Sequence, residues 1–313
     1  MGDVLQQLLA VTAAGPAPEA EARAALARGR ALLAAGDRDG AVVALRVAAV
    51  AAATQLEAHN LIETNALAWA FSEVMGVDAR IDPADDVYGF FTGYGTWSSP
   101  MRDYLADGWR TLSELLVLLE RAGRPLMGCE QVLEFASGHG RFTRHLVKAL
   151  GPQRVTVSDV VAQAVAFSTE CFGVRGFVST PDPAALRWPG RFDLVFVLSL
   201  FSHLPRATWS AWLGRLWQAV APGGVLVFST HGEEAARRAG VRWADDGFHF
   251  VAASESRAIA ADEYGTTFTS ADFVRARIRE LTPPAASWRT EPAWFWGHQD
   301  AFVLARPPDG GLA

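Results

Sequence analysis

From Glu130 onward, short apolar runs alternate with stretches of helical composition: QVLEFA, RVTVSD, VRGFVS, FDLVFVLS, GVLVFST and DAFVLAR. This rhythm constrains the fold more than anything else in the chain. Consecutive strands that run parallel need a crossover long enough to hold a helix, so alternating strand and helix predicts an α/β domain with a mainly parallel sheet. The run FDLVFVL has a single polar residue, as a strand covered on both faces requires.

The chain ahead of this region has a different character. Between Ala20 and Ala53, 15 of 34 residues are Ala and none is Pro, a composition that favours helix, with a break at Gly36-Asp37. Around the break, Gly29, Leu32, Gly36, Ala41, Leu45 and Ala48 keep small and apolar residues at helical spacing. The pattern resembles one helix-turn-helix unit of a tetratricopeptide repeat. It suits a plain helical hairpin equally, since close approach of two helices demands small residues in either case. Apolar residues continue at helical spacing through Leu56, Leu61, Leu67, Phe71 and Met75, until IDPADD brings proline and clustered carboxylates. A helical accessory domain is therefore expected over 1–85. The segment VYGFFTGYGTWSSP mixes Gly with Tyr88, Phe90, Phe91, Tyr94 and Trp97 too irregularly for a helix or a simple strand. It reads as an aromatic loop, either the wall of a binding cleft or packing between domains. Together with an amphipathic helix from Met101 to Gly123 it forms a linking region over 86–125, ahead of the sheet domain at 126–313.

Charge and cysteine content narrow the partners. A formal net charge of -6 and a pI near 5.7 provide no general positive field, which argues against nucleic acid or an anionic membrane surface. No apolar window reaches the roughly 18 residues of a membrane span without a charge. Cys129 and Cys171 are too few and too far apart for a disulfide framework or a four-cysteine zinc site, and no metal is expected. The N-terminus, MGDVLQQLLAVTAAG, lacks a basic region and carries Gln6 where a myristoylation signal carries Ser or Thr. A cytoplasmic location fits these features.

The candidate chemistry begins where the first strand, Gln131 to Ala136, runs into Ser137-Gly138-His139-Gly140 and then a helix. Glycines and bare amides at the carboxyl end of a strand let a nucleotide-like ligand lie against the main chain. Nineteen residues after Gly140, the second strand ends at Asp159, whose carboxylate can accept both hydroxyls of a ribose. A dinucleotide site would carry a third glycine at Thr143, and Phe142 would crowd the approach of a pyrophosphate. Glu134, inside the strand end, would repel a pyrophosphate and could pair with a cationic ligand.

Taken in order, VLEFASGHGRFTRHL, VSDV, FDLVFVLSLFSHLP and AVAPGGVLVFSTHG resemble a class I S-adenosylmethionine-dependent methyltransferase over about residues 130–306. The resemblance implies a Rossmann-like, seven-stranded α/β sheet, mostly parallel with the last strand antiparallel, here preceded by an all-α N-terminal domain. It implies S-adenosyl-L-methionine as cofactor and S-adenosyl-L-homocysteine as product. In such a site Glu134 helps to hold the amino group of the methionine moiety. Ala136, Ser137, Gly138 and Gly140 pass under methionine and ribose, and Asp159, with Val160 beside it, binds the ribose. Many relatives carry an acidic residue after strand three; here Ser179 or Thr180 stands there and Asp182 comes slightly later, which makes Thr180 the candidate beside the adenine. Leu198 and Ser199 would end strand four near the reactive methyl. The APGG turn at Ala221 to Gly224 is read as structural, Pro stopping the helix and Gly turning the chain. The helix Ser270 to Leu281 and the strand in HQDAFVLAR complete the pattern, with TEPAWFW left open as the penultimate strand.

An in-line displacement at a sulfonium needs a strong base only when the acceptor must first lose a proton. His203, after strand four, and His231, after strand five, are the candidate bases at the sheet's carboxyl edge, although a histidine in such a turn can also serve packing alone. The insert from Val241 to Thr267 exceeds a minimal connection and is expected to help build the acceptor pocket, with His249, Glu255, Asp262, Glu263 and Tyr264 as polar candidates. LSLFSHLP replaces the Pro-Pro-Tyr signature of methyltransferases acting on DNA bases, and carboxylates do not cluster as a catechol-type magnesium site needs. What remains is a small molecule, sugar or peptide acceptor, methylated at oxygen. Two other readings stand beside this one: a catalytically silent adaptor that holds a protein partner, or its own copy, through the N-terminal helices, and a nicotinamide-dependent oxidoreductase. The intact Glu134, Gly138, Gly140 and Asp159 weigh against the adaptor, and Phe142 and Thr143 against the oxidoreductase.

Overall fold

The computed structural model describes residues 18–67, 76–93, 100–243, 245–253, 259–284 and 286–309. Phe71, Met75, Tyr94, Trp97 and Glu255 lie outside the described residues. The chain divides into two compact units, 1–105 and 106–313.

In the first unit, α1 (Glu19–Ala34) and α2 (Arg38–Ala49) form the expected hairpin. Gly36 turns the chain at φ +79°, and Asp37 then caps α2 by accepting the Gly40 N–H at 2.9 Å. The small residues matter for packing: a Cβ at Gly29 would come within 2.6 Å of Leu45 Cδ2. Leu26, Val42, Leu45, Ile62 and Leu67 form the core of this pair with α3 (Gln55–Thr64). The aromatic segment corrects the sequence reading, because its first part is a helix, α4 (Asp86–Gly93). Asp85 caps it, Oδ1 accepting the N–H groups of Val87 and Tyr88 at 2.9 and 3.2 Å. Tyr88 and Phe91, one turn apart, bury themselves beside Ile81 and Tyr104. The other Asp85 oxygen accepts the Tyr104 hydroxyl at 2.6 Å. An N-cap and an i, i+3 aromatic pair thus outweigh the glycines. The amphipathic helix α5 (Pro100–Arg121) follows.

The second unit is built on a sheet. Its strands are β1 (Val132–Phe135), β2 (Val155–Asp159), β3 (Arg175–Val178), β4 (Phe192–Val197), β5 (Val220–His231), β6 (Phe248–Val251), β7 (Thr266–Thr269), β8 (Ser287–Phe295) and β9 (Gln299–Ala305). The seven expected strands run β3-β2-β1-β4-β5-β9-β8, with β9 antiparallel to both neighbours. TEPAWFW is therefore largely the penultimate strand. The remaining two, β6 and β7, come from the long insert and form an antiparallel hairpin, with β7 meeting β5 at the pair His231–Phe268. The APGG segment also departs from expectation: β5 already begins at Val220, and the four residues are an irregularity in its pairing with β4 rather than a turn ahead of it. Gly224 is obligatory there, since a Cβ would lie 2.9–3.0 Å from three carbonyl oxygens.

Alternation along the strands fills both faces. Leu133, Val195, Leu226 and Phe302 face one core, with Trp209 and Trp212 of α8 (Arg206–Ala219). Val132, Leu194, Val225 and Val303 face the other, with Leu115 and Leu118 of α5 and Leu146 of α6 (Thr143–Leu150). Helices α7 (Ala162–Phe172), α9 (Glu233–Arg238) and α10 (Ala271–Leu281) complete the layers, α10 being capped by Ser270 Oγ. Strand order reverses between β1 and β4, where the connections leave the sheet on opposite faces and open a crevice at the carboxyl ends. No helix among the described residues is long and apolar enough to cross a membrane.

Candidate functional site

At the mouth of that crevice the chain leaves β1 through Ala136, which sits at φ +58°, into Ser137, Gly138 and Gly140. The two glycines serve different ends. Gly140, at φ +80°, lies against α7, where a Cβ would come within 2.3 Å of the Phe172 ring. Gly138, at φ +54°, would point a Cβ into open space, with nothing within 4 Å. A ligand can therefore approach the loop at Gly138 without displacing a side chain.

Asp159, at the end of β2, ties this loop down. Its Oδ2 accepts the Gly138 N–H at 2.8 Å and its Oδ1 the Val161 N–H at 2.9 Å. Each oxygen keeps a second lone pair, so the carboxylate can still accept from a ligand. Burial raises its pKa, and the backbone bonds from Val161 and Gly138 offset that rise only in part. Val160 is half-buried between Asp159 and Val161. Ser137 donates its N–H to the Ser158 carbonyl, joining the ends of β1 and β2.

Glu134 is almost wholly buried, and Thr143 donates to its Oε2 at 2.7 Å. Burial, followed by the opposing Thr143 bond and the nearby Asp159 charge, leaves its pKa pushed up to about 8. Two carboxyl groups beneath one loop suit a cationic ligand and disfavour an anionic one. Phe142 does not crowd this approach, contrary to the sequence reading, because its ring packs into the core against Phe196 at 4.9 Å.

Glu134, Ala136, Ser137, Gly138, Gly140, Asp159 and Val160 are thus gathered at the ends of two adjacent strands. Thr180 lies in the turn after β3, where its hydroxyl is engaged with the backbone of Asp182. Ser179 donates its N–H to the Asp159 carbonyl at 2.8 Å, which brings the end of β3 to the end of β2. Leu198 packs against the core, and Ser199, at φ +64°, ends β4 much as Ala136 ends β1.

Beyond Ser199 lies a polar network that sequence reasoning found only in part. The Ser199 N–H donates to Ser229 Oγ at 2.8 Å, and Ser229 Oγ lies 2.6 Å from Gln299 Oε1. Gln299 Nε2 reaches Ser199 Oγ at 2.9 Å and faces His231 Nε2 at 3.3 Å. His203 bonds through Nδ1 to the Gly265 carbonyl at 2.7 Å, which places its proton there and turns Nε2 toward Ser199 Oγ, 3.5 Å away. Tyr264 stacks on the His203 ring with centroids 4.4 Å apart. His231 lies 5.9 Å from His203, and its pKa is lowered to about 3, first by burial and then by the neighbouring histidines. The His231 ring also has a hydrogen bond with the Thr267 backbone, which opposes this lowering.

Part of the insert packs at this edge. Gly265 and Thr267 donate their N–H groups to the carbonyls of His203 and Ser202 at 2.9 and 2.7 Å. His249, on β6, has its ring 6.4 Å from that of Phe268, whereas Asp262 and Glu263 are exposed. Ser202, Ser229 and Gln299 were not singled out from sequence. The available signal was polarity: Gln299 opens a strand that is apolar only from Ala301 onward and is 2% exposed, a position that a glutamine occupies only with its amide satisfied. Among the described residues no group of three or more His, Cys, Asp or Glu is arranged to hold a metal ion.

Residues 133–226 match the family described as methyltransferase domain. No curated protein matches the sequence significantly. Among solved structures, the chain is similar to DhpI bound to S-adenosylhomocysteine, at 21% identity over 66% of this chain and 95% of that one, with a TM-score of 0.41. It is also similar to the N-methyltransferase NodS from Bradyrhizobium japonicum WM9, at 18% identity over 71% and 100%, TM-score 0.43. A third is the magnesium protoporphyrin IX methyltransferase ChlM from Synechocystis PCC 6803, at 17% identity over 76% and 99%, TM-score 0.45. The family match spans β1 into β5, and it agrees with the strand order, the antiparallel β9 and the glycine loop between β1 and α6. The sheet-bearing unit has the strand order of a Rossmann-like α/β methyltransferase fold, and residues 133–226 within it match a methyltransferase domain.

Proposed function

We propose that the protein transfers the methyl group of S-adenosyl-L-methionine to a small-molecule, sugar or short-peptide acceptor, at oxygen. The observation that carries the reading is the pairing of buried Glu134 with Asp159 beneath a glycine loop that is open at Gly138. The bound cofactor supplies a methyl group made electrophilic by its sulfonium. Glu134 is suited to an ammonium group and Asp159 to vicinal hydroxyls, while Gly138 leaves the main chain bare between them. A pyrophosphate finds no positive group in this pair of carboxyls and, unlike an ammonium, gains nothing from ionising Glu134, which disfavours a nicotinamide cofactor.

On the acceptor side, the ends of β4 and β5 and the hairpin β6–β7 offer hydroxyls, imidazoles and aromatic rings. Such a surface orients a neutral polar acceptor rather than a polyanion. His203 and His231 are the residues proposed to meet it, alongside Leu198 and Ser199, with Thr180 toward the adenine. The N-terminal helices are proposed to serve self-association or a protein partner, in a cytoplasmic setting.

The test is a calorimetric titration of the whole protein with S-adenosylmethionine and S-adenosylhomocysteine, with NAD as control. Micromolar binding of the first two is expected. Asp159→Ala should weaken it by about 10- to 100-fold or more, the range of a charge-assisted hydrogen-bond pair. Binding of neither would favour the silent adaptor, and binding of NAD alone would favour the oxidoreductase.

A further inference from the structure

Gln299 lies opposite His231 on the antiparallel pair β5–β9, and its amide can adopt two orientations that differ by a flip. The surrounding hydroxyls select one. Ser229 Oγ accepts the Ser199 N–H, so its own hydrogen needs an acceptor, and the group at 2.6 Å must supply it. That separation fits an O–H···O bond and is short for N–H···O. The carbonyl oxygen of Gln299 therefore faces Ser229 and the NH₂ group faces the other way. The remaining contacts agree. Ser202 Oγ gives its hydrogen to the Ser199 carbonyl at 2.7 Å, so in the 3.0 Å contact between the two hydroxyls Ser199 is the donor. Ser199 Oγ keeps its lone pairs for the Gln299 amide at 2.9 Å. The second amide hydrogen points at His231 Nε2, 3.3 Å away, which must then be an unprotonated nitrogen.

We infer that Gln299 is a positioning residue that holds His231 in the neutral Nδ1–H tautomer, its Nε2 lone pair occupied, so that His231 takes no proton from a methyl acceptor. The inference deepens the proposed methyltransferase function and rests on that reading for its meaning, but the tautomer itself is a property of the protein alone. It changes the assignment at the acceptor edge: His231 orders the strand ends, and proton removal, where an acceptor needs it, falls to another group. The depressed pKa of His231 agrees with a ring kept neutral.

The experiment is a long-range ¹H–¹⁵N correlation spectrum of the full chain labelled at histidine, at pH 7.5, with the His231 signals assigned by comparison with His231→Phe. The expected spectrum shows His231 as the Nδ1–H tautomer in the wild type. Gln299→Glu, which offers only acceptors once ionised, should convert it to the Nε2–H tautomer or to imidazolium, and Gln299→Met should abolish the fixed tautomer. Wild-type His231 found as Nε2–H or imidazolium would overturn the inference even if neither variant folds. An unchanged His231 signal in a folded Gln299→Glu would do the same. Titration with S-adenosylhomocysteine, run on the same samples, separates failure of this inference from failure of the methyltransferase reading, since the spectrum does not depend on cofactor binding.

Discussion

A buried carboxylic acid with a pKa near 8 binds a cation by giving up a proton. Glu134, its pKa pushed up by burial to about 8, is proposed to be such a group. At pH 7 a fraction well above half of it is protonated, and an arriving ammonium favours the anion, so cofactor binding should release close to one proton. Calorimetry in buffers of different ionisation enthalpy measures this directly; a binding enthalpy independent of buffer would contradict it. The same residue shapes stability. Its folded pKa of about 8 exceeds the ordinary 4.5, so the folded state holds the proton more tightly. The stabilisation is complete below pH 4.5 and is lost as pH rises toward 8. Glu134→Gln should therefore melt higher than the wild type at pH 8.5 while binding cofactor more weakly, a pair of effects that thermal melts and titration read separately. Gly140→Ala should act first on the fold. Its methyl group meets Phe172 at 2.3 Å on a backbone at φ +80°, and a loss of about 2–4 kcal/mol in chemical denaturation is expected, from overpacking and left-handed strain together.

The element closest to the proposed acceptor edge is the hairpin β6–β7, which touches β5 through one residue pair and reaches the β4 end through backbone bonds to Ser202 and His203. Its weak point is Gly265, where a Cβ would come within 2.3 Å of the Val251 carbonyl and whose own carbonyl fixes the His203 tautomer. Gly265→Ala is expected to reduce methyl transfer at least tenfold, with cofactor affinity unchanged in titration, once an acceptor is in hand. The short apolar runs announced β1, β2, β4, β5 and β9 in the sequence, because strands covered on both faces need mostly apolar residues. The hairpin strands FHFV and TTFT are four residues each, too short to show alternation, and their pairing is set by tertiary contacts with the β4 end. The helix α4 was hidden by its glycines, since the decisive Asp85 cap reads equally as part of an acidic turn. The proposed cofactor end of the site was legible because such a site needs glycine and aspartate at fixed spacing. Gln299 and Ser229 were not, because a satisfied polar residue inside a strand leaves no periodic signal.

At the scale of the molecule, the residues of the proposed cofactor and acceptor sites all belong to the unit spanning 106–313. Residues 100–313 expressed alone should bind S-adenosylhomocysteine with the affinity of the full chain, a titration that would fail if the helical unit supplied part of the cofactor site. At the proposed ligand side, β1 and β4 end side by side, each in a left-handed residue that is not glycine: Ala136 at φ +58° and Ser199 at φ +64°. That geometry costs about 1–2 kcal/mol per residue in an ordinary chain. Glycine at position 136 should therefore raise the melting temperature by about 2–4 °C. It should also let the corner wander, and a chain selected for heat resistance alone would drift toward a sturdier fold with a blunter crevice.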